Sequence, residues 1–222
     1  MSRRRIAGTP LAASIGAALA LAAGCSSSTR STATTTATTT ATTTATRTVA
    51  TAGIPPALLS EARPVGVGPR FQPPVSGPVI GPCRRTLGPR IGVHLEVFAE
   101  NRVVIVPAGI GTLPPRTYSA GRISGARCYG DLVTLEPTGV VLVPPGVRLT
   151  VATLFRAWGQ PLSPYRVASF SAPRGTQVAT FVAGRRWHGS PGDVPLARHA
   201  EIVLEVGPYV PPHHSYTFPP GT

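Results

Sequence analysis

The sequence predicts an α+β domain, in which mainly antiparallel β hairpins are joined by one amphipathic helix packed on the sheet. The first hairpin is indicated by residues 91–98, where apolar and polar side chains alternate as in a half-buried strand. A turn at residues 100–102 then leads into a partner strand at residues 103–106. Two further strand pairs and one helix are predicted from similar patterns of apolar residues and turns.

The second hairpin is predicted from residues 132–136 and 140–143, which flank a Pro-Thr-Gly turn at residues 137–139. The third pair consists of residues 178–183 and 201–206, separated by a long Gly/Pro-containing loop. Because each pair is joined without a helical crossover, mainly antiparallel pairing is expected.

A single helix is predicted between Thr150 and Gly159. The Thr150 hydroxyl can accept a hydrogen bond from the first-turn amides, and Gly159 suits a left-handed end, with Pro161 preventing continuation. Four large apolar residues follow at i, i+3, i+4 and i+7, namely Val151, Leu154, Phe155 and Trp158. This stripe predicts a helix that covers one face of the sheet.

The first 24 residues have the layout of a bacterial lipoprotein signal peptide. Three arginines precede an uncharged apolar run at residues 6–23, and small residues lead to Cys25. We therefore expect Cys25 to carry the lipid of an extracytoplasmic protein anchored to the cell membrane. The alternatives are a plain secretory signal and a membrane-spanning helix, although Pro10 and the short run disfavour a helix that spans.

Composition divides the remaining chain. Residues 25–78 are rich in Thr and Ala and then in Pro, which predicts a disordered stalk, either O-glycosylated or unmodified. The globular α+β domain is expected at residues 79–208, followed by a Pro-rich tail at residues 209–222.

All 21 basic residues are arginine, and the net charge is +13. We exclude nucleic acid as a partner, because the arginines are scattered, no nucleic-acid motif is visible and the chain is expected to be exported. Anionic envelope polymers or lipid headgroups are the partners that such a charge would attract. No protein partner can be named.

Two cysteines remain once Cys25 is assigned to lipid. Cys83 and Cys128 are expected to form a structural disulfide, because an exported chain lies in an oxidising compartment. A redox-active pair is the alternative, but the chain has no Cys-x-x-Cys motif.

Metal binding and catalysis have little support in the sequence. No histidine spacing resembles a zinc finger or a metalloprotease helix, so the candidate ligands are His94 and His199, joined by Glu96 or Glu136. No Gly-x-Ser-x-Gly or comparable arrangement indicates a nucleophile. We therefore expect no enzyme activity and no cofactor.

Several segments resemble, in order and spacing, a family of small exported bacterial and archaeal proteins of unassigned function. The segments are residues 94–98, 106–111, 128–129, 138–141, 157–163 and 216–221. Many members of that family have a run like HxHxHL on the first strand and a run like LHTHD before the second turn, which implies a metal site in those relatives.

This chain departs from both runs. The three histidine positions of the first run are Arg90, Gly92 and His94, and those of the second are Val133 and Leu135, with Glu136 where Asp stands. His199 matches a recurrent histidine. The resemblance therefore implies a domain that binds transition metals poorly.

The function expected from the sequence is that of a membrane-anchored envelope lipoprotein acting as a non-enzymatic binding or envelope-associated module. The alternative is a low-affinity or degenerate metal-binding domain that uses His94 and His199.

Overall fold

The computed structural model describes residues 62–222, which form eleven short strands, one α-helix and one 3-10 turn. The strands are β1 (Ile91–Ala99), β2 (Arg102–Val103), β3 (Thr112–Ser119), β4 (Arg122–Tyr129), β5 (Val140–Val143), β6 (Leu162–Ser163), β7 (Arg166–Val167), β8 (Phe170–Ser171), β9 (Ala179–Val182), β10 (Arg185–Arg186) and β11 (Glu201–Val206). The helix α1 is Val151–Trp158, and the 3-10 turn is Pro191–Asp193.

Six strands form the main sheet around β1. Strand β11 lies on one side of β1 and runs parallel to it, with Leu95 opposite Ile202 and Val97 opposite Leu204. Strands β9 and β10 extend the sheet beyond β11, and both pairings are antiparallel. On the other side of β1, β5 pairs with its first half and β2 with its end, again antiparallel.

The main apolar core lies on one face of this sheet. Because side chains alternate along a strand, Val93, Leu95 and Val97 of β1 share that face with Ile202 and Leu204 of β11. Helix α1 contributes its stripe to the same core, where Leu154, Phe155 and Trp158 are buried. The expected α+β architecture, mainly antiparallel with one helix, is confirmed in outline; the parallel β1–β11 pair was not expected.

The helix follows the sequence pattern closely. It ends at Gly159 in the left-handed conformation (φ 80°), which glycine adopts without strain. Its first turn differs from the expectation, because the Thr150 hydroxyl makes no capping hydrogen bond and lies instead 3.5 Å from the Thr153 hydroxyl.

The predicted hairpins are confirmed to different extents. The third pair forms as β9 with β11. The first forms between β1 and β2, but β2 is short, because only Arg102 and Val103 pair with β1. The second is reduced to one bridge between Val133 and Leu142, because β5 pairs with β1 instead.

Two smaller sheets complete the fold. One is the hairpin β3–β4, which contains Pro114 and Pro115 and was not predicted. The other consists of β6, β7 and β8. The expected disulfide is confirmed: Cys83 and Cys128 are bonded, with Cα atoms 5.2 Å apart. It joins the segment before β1 to the end of β4.

The predicted start of the domain at residue 79 is wrong, because residues 64–77 already pack on the fold. Phe71 is buried in the main core, and its carbonyl accepts a hydrogen bond from the Ile105 amide at 2.8 Å. Val65 bridges Val103. The predictions for residues 1–61, including the signal peptide, lipidation at Cys25 and most of the stalk, lie outside the described residues.

The C-terminal residues are also part of the fold rather than a free tail. Val210 is 2% exposed and packs against Phe98, Phe181 and Val203, on the face of the sheet opposite the main core. We call residues 208–222 the C-terminal strap. Among residues 62–222, no helix has the length and apolar character needed to cross a membrane.

Candidate functional site

Polar side chains meet on the face of the sheet that the C-terminal strap covers. Parallel register places His94 opposite Glu201 and Phe98 opposite Glu205, while Glu96 lies two residues after His94 on the same face. His94 and Glu201 are buried, and Glu96 is partly buried. One side of the central strand pair is therefore apolar, and the other side carries ionisable groups.

His94 and Glu201 form a buried pair. The Nδ1 atom of His94 lies 2.8 Å from Oε2 of Glu201, and Nε2 lies 2.9 Å from the carbonyl oxygen of Thr138. Because a carbonyl can only accept a hydrogen bond, Nε2 carries a proton and donates a hydrogen bond to the Thr138 carbonyl. This contact fixes the imidazole ring so that Nδ1 faces the glutamate.

The turn that carries Thr138 is closely fitted to His94. Gly139 has φ 80°, and a Cβ atom there would lie 2.4 Å from the Leu95 carbonyl oxygen and 3.1 Å from His94 Nε2. Only glycine allows the turn to approach strand β1 so closely. The Pro-Thr-Gly turn expected from the sequence thus positions the carbonyl that orients His94.

The second carboxylate oxygen of Glu201 has different surroundings. Oε1 is buried and has no hydrogen-bond partner among the described residues, and the side chain is only 1% exposed. Burial raises the pKa of Glu201, as does the negative charge of Glu96, while the hydrogen bond and charge of His94 oppose the shift. Glu201 therefore presents a partly unsatisfied acceptor inside the fold.

Glu96 has a partner on the C-terminal strap. His213 Nδ1 lies 2.9 Å from Oε1 and 2.7 Å from Oε2 of Glu96. The strap also brings Tyr216 onto His94, with the two rings stacked at 3.8 Å between centroids. Burial raises the pKa of Tyr216, with smaller contributions from the charges of Glu136 and Glu201.

Three of these side chains can hold one cation. One ligand atom each of His94, Glu96 and Glu201 lies within 4.8 Å of the others. A cleft of about 110 Å³ adjoins His94 and Glu96, which is more space than one water molecule or one ion needs. Imidazole nitrogen and carboxylate oxygen are ligands that zinc and related divalent ions accept.

His199, the second ligand expected from the sequence, is not a member of this group. Nε2 of His199 lies 2.7 Å from the Thr222 carbonyl oxygen, and its ring stacks on Phe218 at 4.7 Å. The structure places only His94 of the two histidines in the metal-capable group. Of the two suggested carboxylates, Glu96 joins that group and Glu136 pairs with Arg122.

Two residues of the site were missed. Glu201 could have been singled out as a charge at the start of the strongly apolar run 201–206. Its neighbour could not be identified, because a parallel pairing between strands 107 residues apart is not visible in local sequence. His213 was assigned to a tail and therefore was not considered near strand β1.

A second buried acid, Glu205, lies under the strap. It is 2% exposed, its Oε2 accepts a hydrogen bond from the Val210 amide at 3.4 Å, and its Oε1 has no hydrogen-bond partner among the described residues. Burial raises the pKa of Glu205 to about 7, with the Val210 bond and the charge of Arg186 opposing the shift. Glu205 thus favours the protonated form in the folded protein below about pH 7.

We expect Glu205 to make stability fall as pH rises. Its folded pKa of about 7 exceeds the ordinary value of 4.5, so its contribution is complete below pH 4.5 and is lost as pH rises through 7. Relative to the wild type, Glu205→Gln should gain on the order of 3 kcal/mol across that window. Urea unfolding at several pH values measures the difference, with the exposed Glu100→Gln as control. A difference that does not change with pH would contradict the expectation.

Comparison with protein families, curated protein sequences and solved structures gives no match. The resemblance described in the sequence analysis therefore stays a prediction. The function must be argued from the site.

Proposed function

We propose that the domain is a non-enzymatic binding module of the cell envelope whose ligand is a divalent metal ion, held by His94, Glu96 and Glu201. The observation that carries the proposal is the buried, unpaired Oε1 of Glu201 within a group of three potential ligands. An unpaired buried carboxylate oxygen is costly, and a bound cation would satisfy it.

The orientation of His94 supports this role. Histidines that bind metals commonly donate their other ring N–H to a carbonyl or carboxylate, which fixes the ring. His94 has this arrangement, because Nε2 donates to Thr138 and Nδ1 faces Glu201. The ring is therefore oriented for binding through Nδ1.

The distances set a requirement on the site. Two ligands of one tetrahedral zinc ion, each about 2.1 Å from it, lie about 3.4 Å apart. The His94–Glu201 contact of 2.8 Å is already of that order, whereas the whole group spans up to 4.8 Å. Binding thus requires an inward movement of more than about 1 Å, and the least buried member, Glu96, is the side chain best placed to make it.

The same surroundings support binding rather than catalysis. Tyr216 covers one face of His94, and the adjoining cleft of about 110 Å³ is small beside the roughly 300–1,000 Å³ of small-molecule sites. An ion fits such a space, and a substrate with its reacting groups does not. The metal itself is therefore the proposed ligand.

The proposal differs from the weak binding that the replaced histidines implied. Zinc titration of the full chain in detergent, in competition with a coloured chelator, decides between them. We expect one zinc ion per chain, with affinity at least tenfold lower in Glu201→Gln and unchanged in the exposed control His188→Gln. Absence of stoichiometric zinc in the wild type, or equal affinity in Glu201→Gln and wild type, would overturn it, provided circular dichroism shows that the variants fold.

The location of the module is part of the proposal. The lipoprotein-type leader supports attachment to the membrane through acyl chains on Cys25, and a shift out of the membrane fraction in Cys25→Ser would test it. Exposed arginines, among them Arg102, Arg174 and Arg185, are the proposed contacts with anionic envelope polymers.

A further inference from the structure

We infer that His213 is the fourth ligand of the metal and that the C-terminal strap therefore closes the site. This inference rests on the proposed function. It assigns a role to a residue of the strap, most of which was expected to be a Pro-rich tail.

The geometry of His213 supports the assignment. Its Nδ1 lies 2.7 Å and 2.9 Å from the two carboxylate oxygens of Glu96. Neighbouring ligands of one tetrahedral zinc ion lie about 3.4 Å apart, so these hydrogen-bond distances need to lengthen by less than about 1 Å for both groups to bind one ion. His213 thus contacts one of the three ligands, although it is not a member of the group whose ligand atoms lie within 4.8 Å of one another. To join that group, its imidazole must move inward together with Glu96.

The coordination chemistry also requires a fourth donor. Zinc in closed sites is almost always bound by four protein ligands in a tetrahedron, and His94, Glu96 and Glu201 supply only three. A second imidazole would give two nitrogen and two oxygen donors. Within residues 62–222, the cleft beside His94 and Glu96 has a volume of about 110 Å³, so a protein ligand fits the fourth position better than a reacting molecule.

The strap is held on both sides of His213. Before it, Val210 is buried against Phe98 and Phe181. After it, Tyr216 stacks on His94. His213 itself keeps 45% of its side chain exposed, so the ring can turn without disturbing a packed core. A metal bound by His213 would add a further attachment in the middle of the strap, and opening of the strap would then depend on the metal.

His214 provides a matched control. It is the same residue type, adjacent in sequence and exposed, but its ring lies over Gly184, where a Cβ atom would be 2.3 Å from the ring nitrogen Nδ1. Zinc affinity should fall at least tenfold in His213→Gln and stay unchanged in His214→Gln. Hydrogen exchange in residues 208–222 should slow on addition of zinc in the wild type and in His214→Gln, but not in His213→Gln.

The outcomes separate the two proposals. If the wild type binds zinc and His213→Gln matches His214→Gln in affinity and in exchange, the fourth ligand is not His213 and the proposed function stands. If the wild type takes up no zinc, the proposed function fails and the inference fails with it. A cobalt-loaded protein offers an independent readout, because loss of a tetrahedral visible spectrum in His213→Gln alone would support the assignment.

Discussion

Replacement of Trp158 by alanine is expected to lower the free energy of unfolding by about 3–5 kcal/mol. Trp158 is fully buried at the end of helix α1, where its ring lies 5.4 Å from that of Phe155. Loss of the indole removes apolar contacts from the main core and leaves a cavity that its neighbours can fill only in part.

Trp158 also joins the helix to the segment that precedes β1. The indole Nε1 donates to the Pro73 carbonyl at 3.2 Å, and the Trp158 carbonyl accepts from the Ser76 amide at 3.0 Å. Trp158→Phe keeps an aromatic ring but removes the donor, and should cost about 1–3 kcal/mol. Urea unfolding followed by circular dichroism measures both effects.

Trp187, which is only partly buried, is the control for the loss of a tryptophan. Trp187→Ala should cost clearly less than Trp158→Ala, because less apolar surface is lost from the interior. A Trp158→Ala variant as stable as Trp187→Ala would contradict the role of Trp158 in the core. It would also weaken the conclusion that the fold begins before residue 79.

The helix shows what local sequence can predict. Its stripe, its left-handed end at Gly159 and its burial all depend on residues within one ten-residue window. The hydroxyl of Thr150 was predicted less well, because a side-chain hydrogen bond depends on the path of the preceding chain. The β1–β2 hairpin and the β9–β11 pair were predicted for the same reason as the helix, because the alternation of apolar and polar side chains along a strand is also a local pattern.

The boundaries of the domain were missed because composition averages over a segment. Residues 53–78 and 209–222 are rich in proline, which is typical of linkers, but Phe71 and Val210 each fill a buried position. One large apolar residue can anchor an extended segment without giving it a periodic pattern. The hairpin β3–β4 was missed in a similar way, because Pro114 and Pro115 argue against a strand.

The site lay beyond prediction because it depends on which strands are neighbours. Strand β1 was expected to pair in a hairpin, and its parallel contact with β11 brings together residues 107 positions apart. The contacts of Arg90 likewise depend on segments that are distant in sequence. Its buried guanidinium donates to the carbonyls of Leu87, Gly130 and Asp131 and so holds two loops together, which the sequence did not predict.

The buried pair of His94 and Glu201 should show strong coupling in a double-variant cycle. His94→Leu leaves Glu201 buried without a partner, and Glu201→Leu leaves Nδ1 of His94 in the same condition. Each single variant should lose about 3–5 kcal/mol of unfolding free energy, which is the cost of breaking a buried pair by removing one member.

The double variant His94→Leu with Glu201→Leu should recover most of that loss. Both polar groups are then gone, and the remaining cost is about 1–3 kcal/mol for the Thr138 carbonyl, which loses its donor. Chemical unfolding of the four proteins in a chelating buffer gives the coupling energy without any contribution from bound metal. Losses that simply add in the double variant would contradict a direct interaction.

The same cycle separates stability from binding. If the double variant folds nearly as well as the wild type yet takes up no zinc, the pair is dispensable for the fold and its polar atoms serve the ligand. Burying two such groups is costly, since well-packed apolar residues of similar volume are often as stabilising or more so. A double variant that recovers none of the stability lost in the single variants would instead make His94 and Glu201 necessary to the fold, and the proposed metal site would lose the support of its two most buried ligands.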